Sequence, residues 1–135
     1  MLLMFIDQCW SQTNFKKDNI EIQALVYFKK TKKKDKVFDN WNPPSEEELV
    51  FLIKNMNVVP SQDWNYCFGT IDIGIKGEVC INNIKYKYTL DGGGWISINP
   101  YKSEGETIYL VNKGDKYLKY FAIKSHCDEN LESKF

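Results

Sequence analysis

Between residues 19 and 28 the side chains Ile20, Ile22, Ala24, Val26 and Phe28 alternate with Glu21, Gln23, Leu25 and Tyr27, the two-residue period of a β-strand. This pattern predicts one fully buried face made of the five even-numbered residues. A second alternation, through Lys85, Tyr86, Lys87 and Tyr88, lies in a hairpin predicted over residues 78–90. It turns at Asn82-Asn83, residues that tolerate the positive φ of a tight loop. The hairpin runs into Asp91-Gly92-Gly93-Gly94 and Trp95, a corner where no side chain stiffens the backbone, and residues 95–98 follow as a short strand. Residues 64–75 also alternate, with Gly69 and Gly74 as bends or bulges. Strands over 107–111 and 117–123 are joined by the turn-forming Asn112-Lys113-Gly114-Asp115.

A helical period is clearest after Pro43-Pro44. Ser45 stands where an N-cap is needed and Glu48, three residues on, completes a capping box, while Glu46 to Glu48 suit the positive end of the helix dipole. Leu49, Leu52, Ile53 and Met56 then recur at helical spacing, and the helix should stop near Asn57, ahead of Pro60. Residues 2–10 place apolar side chains at 2, 5, 6, 9 and 10, which fits one side of a short helix, with a strand as the alternative for so apolar a run. The six lysines between Lys29 and Lys36 read as a solvated hairpin tip, since Val37-Phe38 resumes apolar character at once. A polar tail from residue 125 should fray. These elements predict an α+β fold over a single domain, residues 1–135: an antiparallel sheet of about six strands with one or two helices packed on one face.

Composition narrows the function. Apolar residues make up 43% of the 135-residue chain and aromatics 15%, enough for a ring-rich core without disulfide or metal staples. The 18 basic residues are all lysine, balanced by 18 acids to a net charge of zero. Without arginine, the bidentate reader of phosphate and guanine, and without net positive charge, a nucleic-acid binder is not expected. Cys9, Cys67, Cys80 and Cys127 form no C-x-x-C pair and read as reduced thiols of a cytoplasmic protein. With a single histidine, His126, zinc-ligand spacing is missing, so neither metal nor cofactor is expected. The apolar start has no positive n-region and is too short to span a membrane.

Catalytic equipment is sparse. His126 and Cys127 are sequence neighbours near a loose end, a poor start for a nucleophile and its base. Asp63 with Asp72, or Asp91 with Glu104 or Glu106, could pair carboxylates, but acids at strand ends are commonplace. Gly92 to Gly94 precede no Gly-Lys-Ser/Thr and lead into a strand, so this is no phosphate loop. Two uses of the corner stay open: a tight structural turn that sets Trp95 against the sheet, or an interaction corner with Asp91, Trp95 and Tyr101 as anchors.

The segment WNPPSEEELVFLIKNM from Trp41, and INNIKYKYTLDGGGWISI from Ile81, resemble parts of small immunity proteins encoded beside bacterial polymorphic toxins, of the contact-dependent inhibition and Maf type. The capped helix, the hairpin strand and the Gly-Gly-Trp-Ile corner carry the resemblance. It implies a cytoplasmic protein with no enzymatic activity, which binds a cognate toxin domain and occludes its active site. Many such toxins are nucleases with basic faces, so carboxylates are expected at the contact. The partner-binding candidates are Asp91, Trp95, Tyr101, Glu104 and Glu106, with Glu46 to Glu48 next. The alternative is a small ligand- or carbohydrate-binding β-rich module using Trp64, Trp95, Tyr101 and the glycine corner.

Overall fold

The computed structural model describes residues 17–30, 39–61, 64, 70–102, 105–112 and 116–123. Within them the chain builds strand β1 (Ile20–Lys29), helix α1 (Glu46–Asn55), and strands β2 (Asn57–Val59), β3 (Ile73–Ile81), β4 (Ile84–Asp91), β5 (Trp95–Pro100) and β6 (Ile108–Val111). The six strands form one antiparallel sheet in the order β1-β3-β4-β5-β6-β2. This is the expected α+β fold. The expected N-terminal helix over 2–10, the lysine tip beyond Lys30, and the tail, with His126 and Cys127, lie outside the described residues, as do Cys9 and Cys67.

Strands β1 and β2 occupy opposite edges, so the chain between them crosses the sheet and lays α1 over its inner face. Ser45 starts the helix as its sequence predicts: its hydroxyl accepts from the Glu48 amide at 3.3 Å, and the Glu48 carboxylate accepts from the Ser45 amide at 3.0 Å. Leu49, Leu52, Ile53 and Met56 are buried against Ile75, Val79 and Ile81 of β3, Tyr88 and Leu90 of β4, Ile96 and Ile98 of β5, and Ile108 and Leu110 of β6. The β3–β4 turn takes positive φ at Asn82 (49°) and Asn83 (69°), the left-handed pair a two-residue hairpin loop requires.

Three expectations change. Of the strand expected over 64–75, residues 65–69, with Gly69, lie outside the described residues; residues 70–72 are not strand, β3 starts at Ile73, and Gly74 stays in unbroken register between Phe28 and Asp91. The partner of β6 is β2, immediately after the helix, whereas the expected strand 117–123 contains a 3-10 turn at Leu118–Tyr120. Capture by backbone and side-chain partners outside the sheet explains the latter: the Tyr117 amide donates to Asn112 Oδ1, and the Ala122 amide to the Gly92 carbonyl.

The third change concerns β1. Its pairing with β3 shifts between Ile22 and Ala24, and an inserted residue turns every later side chain to the other face. Ile20, Ile22 and then Leu25 pack on the core, while Val26, expected inside, is 57% exposed. Tyr88 anchors the irregularity. It pairs with Gly77 across β3 and, 1% exposed, donates its hydroxyl to the Ala24 carbonyl on β1 at 2.8 Å. A Cβ built at Gly77 would run into that same carbonyl oxygen, so the close approach of the strands at this point requires glycine.

Leu52→Ala and Ile53→Ala should each lower stability by about 2 to 5 kcal/mol as truncations at fully buried positions. Urea denaturation midpoints equal to the parent's would mean the helix is not seated in the core. Tyr88→Phe, which strands a carbonyl without removing a ring, should cost about 1 to 2 kcal/mol in the same measurement.

Candidate functional site

The anticipated corner is built from inside the protein. Asp91 closes β4 at 1% exposure, and its carboxylate gathers three backbone amides: Oδ1 accepts from Ile71 at 3.1 Å and Gly93 at 2.9 Å, and Oδ2 from Asp72 at 3.1 Å. Burial pushes its pKa up, and the three amides pull against that shift. The glycines are buried with it. Gly94, at φ 109°, reverses the chain, and the corner's backbone bonds outward to Ile73, Asn112 and Ala122. A Cβ at Gly92 would sit 3.0 Å from both Ala122 Cβ and Ile71 Cδ1. Of the two uses left open for this corner, the arrangement matches the structural one.

Trp95, 7% exposed, points to the outer face of the sheet and is covered there. Trp64 stacks on Tyr109 (centroids 4.5 Å apart, planes 12° apart) and meets Trp95 edge-on at 5.1 Å, in a small second core with Val59 and Val111. Tyr101 is 47% exposed, six residues along from Trp95, which on extended backbone is about 20 Å. Glu106 is also exposed and precedes β6 at that far end, and Glu104 lies outside the described residues. The candidate set therefore divides: Asp91 and Trp95 are interior at one end of β5, and Tyr101 and Glu106 are at the surface at the other. A ring platform of Trp64, Trp95 and Tyr101 does not form for the same reason.

What sequence reasoning passed over is the rest of the outer face. One rung across the strands reads Val26, Lys76, Thr89, Ser97, and the next Ala24, Glu78, Lys87, Asn99. Glu78 accepts a 2.6 Å hydrogen bond from Tyr101 and a 3.3 Å ion pair from Lys85. The Tyr101 bond first, then Lys85, holds the Glu78 carboxyl below its usual range. Lys87 lies over the Tyr101 ring at 5.2 Å from its centroid. The Lys-Tyr-Lys-Tyr alternation was the available signal, since it sends Lys85 and Lys87 outward and Tyr86 and Tyr88 inward. The residues that β1 contributes were hidden by its shift in register.

Among the described residues, no three His, Cys, Asp or Glu side chains converge as metal ligands, Cys80 is a half-buried free thiol, and no helix is long and apolar enough to cross a membrane. Among the described residues one amine is strongly perturbed: Lys17, half-buried beneath the C-terminus of α1, where it donates to the Met56 carbonyl at 2.7 Å. Burial lowers its pKa to about 8. The chain matches no protein-family model, no curated protein and no solved structure.

Replacing Asp91 by alanine should cost about 2 to 4 kcal/mol, because buried backbone amides lose their acceptor; a thermal midpoint unchanged from the parent's would contradict the anchoring role. Lys17 makes a pH prediction. Its folded pKa of about 8 lies below the unfolded 10.5, so between these values the native state sheds a proton that the unfolded chain keeps. Stability should therefore rise as pH increases from about 8 toward 10. Lys17→Met should flatten that rise in urea titrations across the window, and an equal slope in both proteins would locate the titration elsewhere.

Proposed function

We infer that this chain is an immunity protein, which binds a cognate bacterial toxin domain in the cytoplasm and neutralises it by covering its active site. The observation that carries the reading is the division of labour among the polar groups. Asp91, Asn112 and Tyr88 are buried and occupied by backbone, whereas the charges left at the surface are arrayed on rigid sheet and helix, a pattern suited to contact and not to turnover. The capped helix and the glycine corner that carry the family resemblance are both well-formed elements, and both serve to hold that surface in place.

A nuclease is the first toxin class to test. Its basic substrate face would be met by Glu106 and by the exposed Glu46, Glu47 and Glu48 at the start of α1, and charge of this kind acts chiefly on the rate of association. A toxin domain is expected to be encoded beside this gene; co-expression of the two should restore growth, and the proteins should co-elute as a complex. Glu106→Lys should leave the thermal midpoint unchanged while slowing association, by a margin that shrinks as salt is raised. Unaltered kinetics would move the contact to the helix start. Growth arrest despite expression of a folded protein would sink the immunity reading in favour of the ligand-binding module.

A further inference from the structure

On the half of the outer face formed by β1, β3, β4 and β5, the sheet carries an open trough of about 380 Å³, lined by Ala24, Val26, Lys76, Glu78, Lys87 and Thr89 among others. The geometry points to this trough as the docking surface for an acidic, extended polypeptide segment that also carries an apolar side chain. The surface is distinct from the Glu106 flank and from the acidic helix start, and the inference does not depend on the partner being a toxin.

Three features specify that occupant. The first is an apolar strip along β1. The register shift turns Val26 outward at 57% exposure and places Phe28 beside it on the same face, and an exposed valine and a half-buried phenylalanine on a sheet face are sites for apolar side chains of a ligand. The second is the charge around that strip. Lys30 and Lys76 each hold an ammonium 5.7 Å from the centre of the Phe28 ring, and Lys87 stands on the neighbouring rung. Among the described residues none of these three lysines is within ion-pair distance of an acid, although Lys87 faces Glu78 across the ladder and its charge helps to hold that carboxyl down, whereas Lys29 is paired with Asp39 and Lys85 with Glu78. The third is length. Measured across four strands the trough spans about 14 Å, the reach of four or five residues of extended chain at 3.3 Å each, so an apolar side chain of the segment would meet Val26 at the β1 edge while carboxylates further along meet Lys76 and Lys87.

The same residues disfavour the other occupants. Phosphate chains would offer nothing apolar to Val26 and Phe28, and the chain has no guanidinium to bind them bidentately. A second copy of the chain would bring lysines against lysines.

The test is titration of the full-length, isotope-labelled protein, followed by amide NMR, with the peptide Glu-Val-Glu-Phe-Glu-Val-Glu, its lysine counterpart, and a single-stranded DNA oligonucleotide as separate probes. The glutamate peptide should shift the amides of Val26, Lys76, Gly77, Lys87 and Thr89 selectively. Lys76→Gln with Lys87→Gln should weaken it about tenfold, as loss of two charge contacts implies, and the single variant Val26→Ser should weaken it while the remaining spectrum stays unchanged. Equal binding of the lysine peptide, shifts confined to another surface, or no shifts at all would overturn the assignment. Tighter binding of the oligonucleotide on this face would make it a nucleic-acid surface instead. Self-association that rises with concentration and is lost in Val26→Ser would make it a dimer interface.

Discussion

A strand has a two-residue side-chain period, so one inserted residue exchanges its two faces, and much of this protein's surface follows from where β1 makes that exchange. Before the shift Ile20 and Ile22 pack inward; after it Leu25 takes their place and Val26 and Phe28 turn out. Tyr88 holds the shifted strand by crossing Gly77 to reach the Ala24 carbonyl. The bond is modest, about 1 kcal/mol net for an ordinary hydrogen bond, but it fits the shifted register, in which the Ala24 carbonyl comes close over Gly77. Gly77 permits the approach, and the register then decides which apolar groups face solvent.

At the other end of the sheet, Asp91 organises the chain in a different way. A buried carboxylate is costly unless hydrogen-bonded, and here three backbone amides compensate it. Those amides belong to the segment leading into β3 and to the glycine corner, so one side chain ties the entry to β3 to the exit from β4, just beyond the end of their ladder. The corner in turn receives the Ala122 and Ile123 amides on the Gly92 carbonyl, which docks the segment after β6. Burial of this hub places Asp91 and Trp95 in the interior, while Val26, Lys76 and Lys87 stay exposed on the open half of the outer face.

An all-lysine chain has a particular electrostatic character. Lysine heads are point charges on flexible stems, and on this face they are steadied by rings and by a single acid: Lys30 and Lys76 at Phe28, Lys85 and Lys87 around Tyr101 and Glu78. In a chain of zero net charge, the described residues thus gather three acids at the start of α1 and four lysines, with Glu78 among them, on the outer face of the sheet. Net charge alone conceals that arrangement.

Local chemistry was enough to read the helix from Ser45, its capping box and its buried stripe, because caps and helical periodicity act over a few residues. The Asn82-Asn83 turn and the inward tyrosines and outward lysines of β4 were legible for the same reason. The β1 register was not: the alternation from Ile20 to Phe28 is unbroken in sequence, and the shift arises only when Tyr88 and Gly77, more than fifty residues away, meet the strand. Nor could the sequence assign β2 to β6, since three residues after a helix carry no periodic signal and their pairing depends on where the helix ends over the sheet. Two uses of the corner stay open in the sequence because Asp-Gly-Gly-Gly is turn chemistry and turns usually face water. Only the arrival of the Ile71-Asp72 segment and of Ala122 buried it, because long-range backbone partners, and not the corner's own residues, decide whether a turn is solvated.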